Sequence, residues 1–104
     1  MKEISDNNIE FLKDKENYSL FYFTATWCGP CQRIKPIIEQ ISEKSDKSKL
    51  EIYKIDIDEN DKLSLDLNIK SVPTFFLYLK DKFINECSGA DIKKVKKLLK
   101  DNME

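Results

Sequence analysis

The sequence predicts an α/β fold, a central mixed β-sheet flanked by helices on both faces, in the order βαβαβαββα. Three observations carry this expectation. Strand-like and helix-like segments alternate along the chain. Residues 18–25 form a nearly continuous apolar and aromatic run, the pattern of a strand covered on both faces. Ile34, Ile37, Ile38 and Ile41 fall at i, i+3, i+4 and i+7, which is one apolar face of a helix.

The elements follow in order. Ile4 marks a short first strand. Asn7 or Asn8 can cap a helix with Ile9, Phe11 and Leu12 on its inner side. After the strand over 18–25, a helix over 31–44 ends at the polar break Ser45 to Lys49. Leu50 to Ile57 is rich in β-branched residues and reads as a strand. Asp58-Glu59-Asn60-Asp61 then supplies turn and cap residues. A short helix follows with Leu63 and Leu67 inward, closed by Asn68 in a left-handed conformation. Thr74 to Leu79 is a third long strand. Lys80-Asp81-Lys82 turns it into a hairpin with Phe83 to Cys87, Asp81 serving a left-handed position. Asp91 starts a last helix with Ile92, Val95, Leu98 and Leu99 inward. The middle strands, each joined through a helix, are expected to be parallel, and the final hairpin antiparallel.

A length of 104 residues fits one domain over 1–104. A chain of this size buries about 60 to 70 per cent of its unfolded surface, enough for a core without disulfide staples. The 40% hydrophobic and 36% charged composition fits a compact domain of regular elements. A net charge of −1 gives no reason to expect nucleic acid or a membrane surface as partner. The absence of histidine excludes Cys–His nucleophilic catalysis and His-ligated zinc or haem. An odd count of 3 cysteines argues against a secreted disulfide framework. The N-terminus is too polar for a signal peptide, and no apolar run reaches membrane-spanning length. A reducing intracellular compartment, the cytoplasm, is the expected location.

Trp27-Cys28-Gly29-Pro30-Cys31 is the motif that carries chemistry. It lies between the apolar strand and the helix after it. Two cysteines spaced this way can close a small disulfide ring where a helix begins. The helix N-terminus, with unpaired N–H groups and a positive dipole end, favours thiolate over thiol. The plainer reading is a buried or metal-binding pair. One C-x-x-C supplies only part of a zinc ligand set, and the chain has no histidine to complete it.

Over nearly its full length the chain resembles the thioredoxin family. Ala25 to Cys31 is similar to the family's redox loop, Pro36 to the proline within the following helix, and Asp56-Ile57-Asp58-Glu59-Asn60 to the end of its third strand. Val72-Pro73-Thr74 resembles its cis-proline segment, and Ser88-Gly89-Ala90 the loop before its last helix. The chain's 2 glycines and 3 prolines, Gly29, Pro30, Pro36, Pro73 and Gly89, all fall on motif positions of that family.

The resemblance implies a thioredoxin fold and a thiol-disulfide oxidoreductase that reduces protein disulfides. Cys28 would be the nucleophile and Cys31 the resolving thiol. Gly29 and Pro30 would tune the pair, a Gly-Pro insert going with reducing members. Trp27 would be a partly exposed wall beside the nucleophile, against a plainer role as a core or ledge residue. Pro73 would be cis, with the backbone of Val72 pairing an extended substrate segment, and Gly89 and Ala90 would leave the groove open. Electrons would come from a separate flavin-dependent thioredoxin reductase or an equivalent thiol system. No cofactor is expected, for no Gly-rich dinucleotide fingerprint is present, and a monomer is expected. Alternatives are a thioredoxin-fold binding or scaffold module with modified redox kinetics, and a disulfide oxidase or isomerase.

Tyr22 is the main departure from the family pattern. Six positions before Cys28, thioredoxins usually place a buried aspartate assigned to proton transfer at the resolving cysteine. A phenol, with a pKa of about 10, is a poor base near neutrality. Lys54, the family's partner to that aspartate, is left to snorkel outward, to bond Tyr22, or to pair with an acid such as Asp56. Cys87 reads as a semi-buried strand cysteine, with a regulatory thiol as the sharper reading. The lysines of the last helix read as a solvated face.

Overall fold

The computed structural model describes residues 1–103. The chain runs β1 (Lys2–Ile4), a 3-10 helix (Glu10–Asp14), β2 (Tyr18–Thr24), α1 (Gly29–Lys44), β3 (Leu50–Asp56), α2 (Asp61–Asp66), β4 (Thr74–Leu79), β5 (Lys82–Ser88) and α3 (Ile92–Asn102). The five strands form one mixed sheet in the order β1-β3-β2-β4-β5. β1 and β2 run parallel to β3, β4 runs antiparallel to β2, and β5 antiparallel to β4.

β2 lies mid-sheet, and the apolar run that defines it is buried from Ser19 to Thr24. Successive residues feed opposite cores, as strand alternation requires. Leu20 and Tyr22 join Ile52, Phe75 and Leu77 beneath Ile34 and Ile38 of α1 and Val95 and Leu98 of α3. Phe21 and Phe23 join Tyr53, Ile55, Phe76 and Tyr78 beneath Leu12 and Leu63. Helices therefore cover both faces, as the sequence predicts.

Four expectations need correction. The segment after β1 forms one short 3-10 helix, and the two asparagines divide their work. Asn8 Oδ1 takes the Glu10 N–H at 2.8 Å, while Asn7 turns away to take the N–H of Leu63 at 2.9 Å. β4 is antiparallel despite following a helix. At six residues, α2 rises only about 9 Å, against about 23 Å for the strand before it, so the chain re-enters the sheet from the end it left. In the β4–β5 hairpin Lys80 adopts the left-handed conformation, at φ 56°, where Asp81 was expected. Leu79 pairs directly with Lys82, so a two-residue loop closes the hairpin and its first position takes the positive φ. Ile37 is 39% exposed, because the apolar face of α1 narrows to Ile34 and Ile38 beneath the sheet. Asn68 is left-handed at φ 59°, as expected.

Candidate active site

β2, β3, β4 and α1 converge at one end of the sheet. Cys28 is the N-cap of α1, and the Pro30 ring occupies the first turn, where its missing N–H leaves no bond unmade. Cys28 Sγ receives the backbone N–H of Cys31 at 3.2 Å. The two cysteines are joined as a disulfide, with Cα atoms 5.3 Å apart. Both are buried, packed with Ala25, Ile57 and Val72. Gln32 braces the loop, its Nε2 donating to the Ala25 carbonyl at 2.8 Å. Gly29 leaves room for Arg33, whose Nη1 would lie 3.3 Å from an added Cβ.

Facing the sulfurs is the turn into β4. The Val72–Pro73 bond is cis, and the Val72 carbonyl oxygen lies 3.6 Å from Cys28 Sγ. The Pro73 carbonyl accepts the N–H of Gly89 at 2.9 Å, which draws the β5–α3 loop alongside. Gly89 sits at φ 96°, with open space where a Cβ would stand, and Ala90 beside it is exposed. Val72 thus packs against Cys28, and Pro73, next in the chain, is tied to Gly89.

Trp27 is 67% exposed, which removes the core reading. Its Nε1–H donates to Asp58 Oδ2 at 2.9 Å. Asp58, a turn residue in the sequence pattern, thus fixes the Trp27 ring. Asn60 belongs to the same turn. It is fully buried, and its Nδ2 donates to the carbonyls of Ile4 and Asp56 at 2.7 and 3.0 Å. Its Oδ1 takes the N–H of Asn7 at 3.0 Å. The acidic, Asn-ended turn is the available signal, but its partners Ile4 and Asn7 lie more than 50 residues away in sequence.

Tyr22 is fully buried beneath α1. Its hydroxyl donates to the Cys31 carbonyl at 2.7 Å, and its ring stacks on Phe75. Burial pushes the phenol above its usual pKa, the Thr24 side chain works against that shift, and the charge of Glu39 adds to it. Lys54 takes no part here. It pairs with an acid, one of its three expected outcomes, but the acid is Glu3 at the sheet edge, 3.7 Å away, and not Asp56. Cys87 is a half-buried thiol on β5, packed against the α3 side, and burial raises its pKa.

Comparison with known proteins agrees with this geometry. The family model for thioredoxin matches residues 2–102. A thioredoxin of Ictalurus punctatus is 41% identical over 80 residues, covering 77% of this chain and 75% of that one. Among solved structures, Malassezia sympodialis thioredoxin superposes with a TM-score of 0.87 at 29% identity, over 97% of this chain and 91% of the other. Fasciola hepatica thioredoxin gives 0.87 at 25% identity, over 98% and 99%. A chain that the thioredoxin family model matches over residues 2–102, with its cysteine pair bonded at the start of α1, belongs to the thioredoxin family, the protein-disulfide oxidoreductases that work by dithiol–disulfide exchange.

Proposed function

We propose that the chain works as a reductase of protein disulfides, with Cys28 as nucleophile and Cys31 as resolving thiol. One observation carries the assignment. Cys28 Sγ sits at the N-cap of α1 with the Cys31 N–H pointed at it, an arrangement that stabilises a thiolate. Cys31 has the same helix end but is sealed from solvent. The Cys28 thiolate attacks one substrate sulfur, the substrate disulfide breaks, and the electron pair leaves on the other sulfur, which is protonated. Cys31 then attacks Cys28 Sγ, the substrate departs as a dithiol, and the protein is left as the disulfide.

A substrate segment would lie extended along Val72, whose carbonyl stands 3.6 Å from Cys28 Sγ and whose backbone groups would pair with it. Pro73, Gly89 and Ala90 would leave it room, and Trp27 would wall one side. Disulfide-bearing proteins are then the substrates, and a thioredoxin reductase or equivalent thiol system returns the electrons. The Gly29-Pro30 insert favours the reducing direction. We place the protein in a reducing compartment, the cytoplasm, acting as a monomer.

Insulin reduction tests the reading. Wild type is expected to precipitate insulin, Cys28→Ser to be inert, and Cys31→Ser to stall as a mixed disulfide. An inert, correctly folded wild type would point instead to a binding module.

A further inference from the structure

The second exchange step requires Cys31 to lose a proton, and the apolar residues packed against its side chain supply no base. Its side chain packs with Ala25, Cys28, Ile57 and Val72. Behind it, the one proton of the Tyr22 hydroxyl is committed to the Cys31 carbonyl at 2.7 Å. The ring cannot drift from that bond, being fully buried and stacked on Phe75 with centroids 5.3 Å apart and planes 11° from parallel. The bond ties β2 to the first turn of α1 at the residue whose sulfur must reach Cys28.

We propose that Tyr22 is a positioning residue for the resolving thiol, and that the Cys31 proton passes to the departing substrate sulfur rather than to a group in the interior. In this step a bond forms between Cys31 Sγ and Cys28 Sγ. The bond between Cys28 and the substrate sulfur breaks, and its electron pair leaves on the substrate sulfur. That sulfur takes the proton given up by Cys31. The substrate leaves as a thiol and the protein as a disulfide, so the step consumes no outside acid or base. The inference rests on Cys31 being the resolving thiol.

The elements packed on this side of the sheet carry, among their charged residues, Lys35 and Glu39 of α1, Lys54 and Asp56 of β3, Glu3 of β1, and Lys94, Lys97 and Asp101 of α3. Lys54 is paired with Glu3. Asp56 is buried, and its Oδ1 holds the Asp58 N–H at 2.8 Å. It is the interior carboxylate that a rival route would use.

The experiment follows both steps separately with a disulfide-linked peptide pair from pH 5 to 9. Acid quench and mass spectrometry count the reduced, mixed-disulfide and oxidised protein. Tyr22→Phe is expected to lengthen the life of the mixed disulfide about threefold to tenfold while the attack by Cys28 keeps its rate. Asp56→Asn, which keeps the Oδ1 acceptor, is expected to leave the resolution profile unchanged. Equal resolution rates in Tyr22→Phe and wild type overturn the positioning role. A carboxylate-range inflection in the wild-type profile that Asp56→Asn removes overturns the proton route, and this arm stands even if Tyr22→Phe does not fold. A Cys31→Ser mixed disulfide that resolves as fast as wild type removes Cys31 from the resolving role itself.

Discussion

Trp27 gives its indole N–H to Asp58 at 2.9 Å while two-thirds of its surface, 67%, faces solvent. An exposed ring on a rotatable side chain would ordinarily sample several rotamers, and this bond selects one. Asp58→Ala is expected to raise KM for a protein disulfide about threefold to tenfold, with kcat nearly unchanged. Asp58→Asn keeps an acceptor oxygen and should fall between. Steady-state kinetics, with Trp27 fluorescence as the report on ring position, decide it; a loss confined to kcat would contradict the wall role.

Asn60 spends both amide protons and its oxygen on backbone groups. Asn60→Ala strands those groups in the interior and should cost about 3 kcal/mol. Asn7→Ala removes the acceptor for the Leu63 N–H at the start of α2 and should cost about 1 kcal/mol. Asn60→Ala already frees the Asn7 backbone that its Oδ1 holds in place, so the double variant should lose less than the sum. Urea unfolding measures all three.

Two backbone positions should respond in opposite directions. Gly89, at φ 96°, would hold an added Cβ in open space, so the cost of Gly89→Ala is purely conformational, about 1–2 kcal/mol. Lys80, at φ 56°, already bears that strain, and Lys80→Gly should gain about 0.5–1 kcal/mol after the extra freedom of the unfolded chain is subtracted. Its ion pair with Glu16 at 3.3 Å is exposed on both sides and contributes little. Denaturation midpoints that moved together would refute this account.

Stability should decline at alkaline pH. Tyr22 and Tyr78 are raised from an ordinary 10.0 by burial, and Cys87 from 9.0. In each case the folded pKa lies above the unfolded one, so the unfolded chain releases its proton first. The contribution is fully present below the unfolded values and is lost as pH rises through the folded ones, at up to about 1.4 kcal/mol per pH unit for each group. Urea midpoints of the oxidised protein at pH 8, 9.5 and 11 check this, with Tyr78→Phe losing less. A midpoint that held steady to pH 11 would count against it.

Features governed by local chemistry were legible in the sequence. The C-x-x-C pair, the Asp91 cap whose side chain takes the Lys93 N–H, the left-handed Asn68 and the buried faces of β2 and α3 all depend on residues close in the chain. What escaped depends on pairing at a distance. The sequence cannot show that Asn7 serves α2, that Lys54 leans to Glu3, or that Tyr22 reaches the carbonyl of Cys31. The direction of β4 escaped for a related reason: it depends on the length of α2 against the length of β3, and helix existence alone does not fix it. Lys80 shows the limit of residue preference. The hairpin dictates which position is left-handed, and the side chain there accepts it.

The bond from Asn60 to the Ile4 carbonyl has a practical side. It makes the leading segment of the chain part of the footing of the active site, through the turn that carries Asp58. A protease cut after Ile4, or an affinity tag that peels β1 from the sheet edge, would leave a stranded amide beneath that turn. Enzymologists comparing tagged with untagged protein would meet the damage as weakened substrate capture, at a turn 56 residues along the chain from the altered segment.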